Sequence, residues 1–429
     1  MHDCNRVILR SPHRPIDRVV HPPGSKSLTN RALLAAALGH GRSEVSGILL
    51  ADDTRHMLNC IEALGVRCLP DESRRKVRIE GGSGYFPNGE AELYCGNAGT
   101  VIRFLTAACA ASIGDFLLDG DARMRERPIG DLVDGLRDLG AQIGYGMAEG
   151  YCPLRVQGRG LRGGRVILDR PVSSQFVSAM LMAAPLAADD VMIDVSRGLP
   201  SAPYVAMTLA VMDAFGVASI ADTAGRYIVP APQAYRAARY AVEPDASAAS
   251  YFFAAAAITG GRVTVEGLGS RSVQGDMGFV GVLERMGCRV ASEPDRTTVT
   301  GPPEGRLRGV DVDLNAMPDV AQTLAVLAAF SDGPTTIRNV ANLRVKETDR
   351  LCALATELGR MGVSTEVTGD GISIRPGGPP RAAAIETYGD HRMAMSFALA
   401  GLRLDGVEII NPACVNKTFP GFFEEWARF

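Results

Sequence analysis

Pro22-Pro23-Gly24-Ser25-Lys26-Ser27-Leu28-Thr29-Asn30-Arg31 opens a pattern that the rest of the chain repeats. Two prolines and a glycine stop what precedes them. Ser25 or Ser27 can cap the helix announced by Ala32-Leu33-Leu34-Ala35-Ala36-Ala37-Leu38. Ser27, Asn30 and Arg31 share one face of that helix by their i, i+3, i+4 spacing. Lys26 stands at the helix mouth, where unpaired N–H groups and the dipole favour an anion. One such start alone reads more readily as an ordinary capped helix with a solvated basic turn; its recurrence reverses that reading.

Apolar-Gly-apolar helix ends recur at Leu64-Gly65-Val66, Leu139-Gly140-Ala141, Phe215-Gly216-Val217, Met286-Gly287-Cys288 and Met361-Gly362-Val363, with glycines 75, 76, 71 and 75 residues apart. A glycine after an amphipathic helix and before an apolar run is a C′ residue feeding a strand. Helix starts recur in step at Ser25, Asn97, Ser173, Asp245, Asp319 and Asp390. The spacing predicts an α/β chain of six units of about 73 residues, each strand, helix, strand, helix, strand, strand. The sixth unit stops after its second helix, and the strand-like Arg6-Val7-Ile8-Leu9 is placed to complete it. Two domains of three units follow: residues 25–242, and residues 1–24 with 243–429, with crossings near Gly24 and Val242. The Gly/Pro-rich segments Gly81–Gly89 and Pro376–Pro380 read as hairpin loops inside units. Solenoids use shorter repeats, so a closed globular array is expected.

A chain of 429 residues with 46% apolar and 22% charged residues is that of a soluble globular protein. Its N-terminal stretch has no apolar core of a signal peptide, and the longest uncharged run, Val172 to Ala188, holds Ser173, Ser174, Gln175 and Pro185, which suits no membrane span. The nine cysteines form no C-x-x-C pair and read as reduced, mostly buried thiols of a cytoplasmic protein. No histidine cluster suggests a metal. A net charge of −3 and few aromatic residues argue against nucleic acid. Only four of the 45 basic residues are lysine: Lys26, Lys76, Lys346 and Lys417. Where arginine is used by default, a retained lysine marks a place that needs a compact ammonium. Lys76 reads as surface, and the other three sit in polar motifs at helix starts.

If homologous helices run parallel, their N-termini gather on one face of each domain. Two such faces would line a cleft for a small, multiply anionic substrate. Long motifs then bring a family into view: PPGSKSLTNRALLAAAL, CGNAGTVIR, RMRERPIGDLV, SSQFVSAML, PDVAQTLAVLA, NLRVKETDRL, YGDHRMAMS and NKTFPGFF, in order along nearly the whole chain. The chain resembles the 5-enolpyruvylshikimate-3-phosphate synthase family. The resemblance implies the two-domain enolpyruvyl-transferase fold, an inverse α/β barrel of six βαβαββ units. It implies transfer of the enolpyruvyl group of phosphoenolpyruvate to the 5-hydroxyl of shikimate 3-phosphate with release of phosphate, in the shikimate pathway to the aromatic amino acids.

By that resemblance Lys26, Ser27, Arg31, Ser173, Ser174, Gln175, Ser201, Tyr204, Asp319, Asn342 and Lys346 are expected to contact shikimate 3-phosphate. Lys26, Asn97, Gly99, Arg127, Gln175, Arg350, His391, Arg392 and Lys417 are expected around phosphoenolpyruvate. Asp319, Glu347 and Lys26 are the catalytic candidates, two carboxyls able to divide base and acid duties. Asp319 otherwise reads as a helix cap after Pro318, and Glu347 as a surface partner of Lys346. No cofactor and no metal are expected, since guanidinium forks can hold phosphate and carboxylate. A cytoplasmic monomer, inhibited by glyphosate at the phosphoenolpyruvate site beside Gly99, completes the expectation. Phe104, Pro244 and Gly389 depart from residues common in the family, and Phe104 could shift Gly99. The sister family acting on UDP-N-acetylglucosamine usually has cysteine where this chain has Ala122. A polyanion-binding scaffold would show a basic stripe with stacking aromatics, which is absent here.

Overall fold

The computed structural model describes residues 5–429; residues 1–4, which the N-terminal segment assigned to the second domain includes, lie outside the described residues. The chain divides into two compact units, Gly24–Val242 and Met1–Pro23 with Glu243–Phe429.

Within Gly24–Val242 run α1 (Lys26–Leu38), α2 (Asp52–Ala63), α3 (Gly99–Ala111), α4 (Gly130–Asp138), α5 (Ser174–Ala183) and α6 (Pro203–Ala214). Three four-stranded sheets accompany them. Their strand orders are Arg239–Ala241, His40–Ser46, Lys76–Gly82, Arg67–Asp71; then Glu90–Tyr94, Ile113–Asp119, Leu154–Arg159, Gln142–Tyr145; then Gly164–Ile167, Val191–Asp194, Arg226–Val229, Ile220–Ala221. In each, the first two strands are parallel and the remaining pairings antiparallel.

The other unit repeats the plan with α7 (Ala246–Thr259), α8 (Phe279–Arg285), α9 (Ala321–Ala328), α10 (Arg350–Arg360), α11 (His391–Ala398) and α12 (Phe422–Trp426). Arg6–Leu9 pairs antiparallel with Val407–Ile410, Arg6 opposite Ile410, and so completes the sixth sheet. One feature departs from a contiguous repeat. Asp17–Val20, directly before α1, pairs in parallel with Arg262–Glu266, whereas Arg239–Ala241, directly before α7, pairs with His40–Ser46. The two strands are exchanged between the first and fourth sheets, because each chain crossing carries its strand into the unit it leaves. A second correction concerns Gly81–Gly89 and Pro376–Pro380. They are not hairpins: the strands on either side of each belong to different sheets, so both are connections between successive repeats.

The helices that open each repeat form the interior. Every residue of α3 and of α7 is buried, and α1 is buried from Leu28 onward. Their Ala/Leu-rich sequences are apolar all round, as a helix enclosed on every side requires. The second helices show one buried stripe, such as Leu351, Leu354 and Leu358 in α10. The repeat glycines 65, 140, 216, 287 and 362 have φ from 80° to 110°, the left-handed conformation in which a Cβ is strained. No helix among the described residues is long and apolar enough to cross a membrane.

Candidate functional site

In Gly24–Val242 the polar groups gather at the first turns of α1, α3 and α5. Ser25 caps α1 by accepting from the N–H of Leu28, so of the two capping serines it is Ser25 that does this work. Lys26 Nζ lies 3.2 Å from Asp53, a buried carboxylate in the first turn of α2. Arg31 is wholly buried; it donates to Thr208 Oγ1 (2.8 Å), Ser27 O (2.9 Å), Ser178 Oγ (3.3 Å) and Tyr204 O (3.1 Å). Burial pulls its guanidinium down to about 10. Its neighbour on α1, Asn30, donates to Thr100 Oγ1 of α3 at 2.8 Å.

Helix α3 starts at Gly99, two residues past Asn97, and its N-cap Ala98 supplies no side-chain bond. Arg127 donates to Asn97 Oδ1 (2.9 Å) and Asn97 O (3.1 Å), and Arg103 to Gln175 Oε1 (2.7 Å) and Pro128 O (3.0 Å). A Cβ added at Gly99 would lie 2.5 Å from Arg103 Nη1 and 2.7 Å from Arg127 Nη2. The glycine thus makes room for two guanidinium groups before any ligand is considered. Ser173 caps α5, with Ser174 buried and Gln175 half-buried behind it. Ser201 is buried ahead of α6 with φ 58°, and Tyr204 is half-buried in the helix's first turn.

In the unit holding Glu243–Phe429 the candidates form one charge network. Asp319 lies in the 3-10 turn Pro318–Val320 rather than capping α9. Its Oδ2 accepts from Arg392 (2.9 Å), its Oδ1 from Arg350 (3.3 Å), and Lys346 Nζ is 3.8 Å from Oδ1. Glu347 is not a partner of Lys346 on the surface. Its side chain is 8% exposed, accepts from Arg350 at 2.8 Å and lies 3.9 Å from Lys417. Arg350 also donates to Asp390 at 2.7 and 3.3 Å. Burial works against its charge, but Asp390, Glu347 and Asp319 hold the guanidinium protonated above the usual arginine range. Lys346 and Glu347 precede α10 instead of opening it, because Asp349 is the cap. Asn342 sits in the 3-10 turn Ala341–Val345 and Lys417 in Pro412–Lys417. His391 is buried in the first turn of α11, 3.6 Å from Asp390, which caps that helix.

The reading of every first-helix start as an anion holder needs correction at α7. There Gln274 accepts from Ala246 N (3.1 Å) and Asp245 from Ala248 N (2.9 Å), so the chain's own side chains take the end of the dipole. A carboxylate cap, Asp390, does the same at α11. Three contributors escaped the sequence reading: Asp53, Arg103 and Asp276. Asp53 looks like an ordinary acidic first-turn residue and Arg103 like a mid-helix charge; only packing shows that both are buried. Ser247 hydrogen-bonds Asp276, which is enclosed near Asp319 and Arg392. The shikimate-phosphate and phosphoenolpyruvate candidates are each divided between the units. Asn97, Gly99, Arg127 and Gln175 fall in one, and Arg350, His391, Arg392 and Lys417 in the other. Among the described residues no cluster of His, Cys, Asp or Glu suits a metal ion.

Residues 11–426 match the family model for EPSP synthase (3-phosphoshikimate 1-carboxyvinyltransferase). The chain is 48% identical over 436 residues to the chloroplastic 3-phosphoshikimate 1-carboxyvinyltransferase of Arabidopsis thaliana, spanning 98% of this chain and 84% of that one. To the same-named protein of Sulfurovum sp. (strain NBC37-1) it is 48% identical, over 98% of both chains. Among solved structures, EPSP synthase from Acinetobacter baumannii superposes with a TM-score of 0.82 at 26% identity, covering 99% of this chain and 98% of that one.

Proposed function

We infer the activity from the family to which the chain belongs, the EPSP synthases. It is a transferase, a 3-phosphoshikimate 1-carboxyvinyltransferase, that moves the enolpyruvyl group of phosphoenolpyruvate to the 5-hydroxyl of shikimate 3-phosphate and releases phosphate. The observation that carries the assignment of roles is the network around Arg350. One buried guanidinium holds Asp319 and Glu347, and each carboxylate also has its own lysine, Lys346 or Lys417. Two carboxyls kept apart by fixed cations can serve two different proton transfers.

Ser27, Arg31, Ser173, Ser174, Gln175, Ser201, Tyr204, Asn342 and Lys346 bind shikimate 3-phosphate in this reading. Hydroxyls and ammonium groups give its phosphate short, charge-assisted bonds. Asn97, Gly99, Arg127, Gln175, Arg350, His391, Arg392 and Lys417 hold phosphoenolpyruvate, and Lys26 touches both. Asp319 takes the proton of the 5-hydroxyl. Glu347, with Lys417 beside it, delivers a proton to the methylene carbon, so that C2 becomes electrophilic and the hydroxyl oxygen bonds to it. The tetrahedral adduct then returns a methyl proton to Glu347 as its C–O bond to phosphate breaks, restoring the double bond, and the proton held by Asp319 leaves with the phosphate. The protein acts as a cytoplasmic monomer, and glyphosate competes with phosphoenolpyruvate. Phosphate release that requires both substrates tests the activity, and its absence with both present overturns it. A competitive glyphosate pattern and light-scattering mass test the other two statements.

A further inference from the structure

We propose that Phe104 is a positioning residue for Arg31: its ring holds a buried guanidinium in place without neutralising it, leaving the charge for the anionic substrate. The inference rests on the reading of Ser27 and Arg31 as shikimate 3-phosphate contacts.

Arg31 and Phe104 are both fully enclosed, on α1 and α3 respectively. The guanidinium carbon stands 5.1 Å from the ring centroid, within the range of a cation–π contact. The four hydrogen bonds of Arg31 all go to neutral acceptors, two hydroxyls and two carbonyls. Among the described residues no carboxylate pairs with it. Arg350 is handled in the opposite way, with three carboxylates around it. A buried cation without a counter-ion is costly, and the low position of Arg31, about 10, reflects that cost. A carboxylate would relieve it but would compete with an incoming phosphate or carboxylate. A ring face attracts the cation and accepts none of the directional bonds that an anion takes. The preceding residue on α3, Arg103, also has a ring beside it, its guanidinium carbon lying 5.2 Å from the centroid of Phe176 on α5. Phe104 thus meets Arg31 on the α1 side of α3.

Without the ring's attraction the guanidinium tilts toward its neutral acceptors or draws in water, and anion binding must then restore its place. The test replaces Phe104 by 3,4,5-trifluorophenylalanine, which keeps the shape and cancels most of the ring's negative face, and in parallel makes Phe104→Leu. Calorimetry measures shikimate 3-phosphate binding to each full chain, and steady-state assays give kcat and both KM values. Both variants are expected to bind shikimate 3-phosphate about three- to tenfold more weakly. Turnover should stay within about twofold, with the phosphoenolpyruvate KM little changed. Native-like affinity in the trifluoro variant shows that Phe104 only packs, and overturns the inference whatever Phe104→Leu does. If the native chain binds but Arg31→Lys leaves affinity unchanged, Arg31 is no contact and the inference falls with it. If the native chain fails to bind shikimate 3-phosphate, the substrate reading itself fails first.

Discussion

At Asp276 burial pushes the carboxyl up to about 7; the charges of Asp319 and Asp245 add to the rise, while Ser247 and Arg392 oppose it. An unperturbed aspartate titrates near 3.8, so the folded chain binds this proton more tightly than the unfolded one. The resulting stabilisation is complete below about pH 4 and is lost as pH rises through about 7. Thermal melts of native protein and Asp276→Asn, compared between pH 5 and 8, should show the native chain losing ground with rising pH. A constant offset would contradict the sign. The retained lysines make a second residue-scale prediction. Lys26, Lys346 and Lys417 each lie within 3.2 to 3.9 Å of a carboxylate at the site, whereas Lys76 pairs with Glu44 and is 40% exposed. Lys→Arg at the first three should lower kcat/KM by roughly 2–4 kcal/mol of transition-state stabilisation, from bulk and misplaced charge. Lys76→Arg should be near neutral. Gly99→Ala inserts a methyl against Arg103 and Arg127. It should raise the phosphoenolpyruvate KM, and the glyphosate inhibition constant by more, while sparing shikimate-phosphate binding. Paired inhibition and saturation curves check this.

Among the elements, α10 and α11 show how helix ends were used. Asp349 caps α10 on the surface side, and its loss should cost about 1 kcal/mol. Asp390 caps α11 and also accepts two bonds from the buried Arg350, so Asp390→Ala removes the cap and leaves two guanidinium donors unmet, while Asp319 and Glu347 still balance the charge. It should cost about 2–4 kcal/mol by denaturant titration. Equal effects for the two would mean that Asp390 is no more than a cap. The positions of these helices were legible from Asp349-Arg350 and Asp390-His391-Arg392 at their starts and from the apolar periodicity that follows each. Ser25 and Asp245 both cap their helices, and which start also draws an acceptor from elsewhere in the chain was not legible from either residue. Partners such as Gln274, 29 residues from Asp245, come from elsewhere in the chain.

For the whole molecule, the strand exchange sets what can fold alone. Gly24–Val242 contains every strand of its three sheets, Arg239–Ala241 included. A fragment of residues 24–242 should therefore fold cooperatively. Residues 243–429 alone lack Arg6–Leu9 and Asp17–Val20, and should fold only when residues 5–23 are joined to them. Far-UV circular dichroism and amide NMR dispersion of the fragments decide this.

The sequence by itself determined the repeat, since six similar runs must each solve the same burial problem with the same local chemistry. The repeat glycines, the buried Ala-rich helices and the completing role of Arg6–Leu9 were all readable from period and composition. The motif residues around Asp319, Glu347 and Lys346 were readable as well. Only the tertiary structure decided which of two equivalent strands, Asp17–Val20 or Arg239–Ala241, completes which sheet. It alone placed Asp53, Arg103 and Asp276 beside the charges they serve. Pairing between strands and the burial of a charge depend on contacts across hundreds of residues. Local propensity is the same for either partner, so the choice falls to packing.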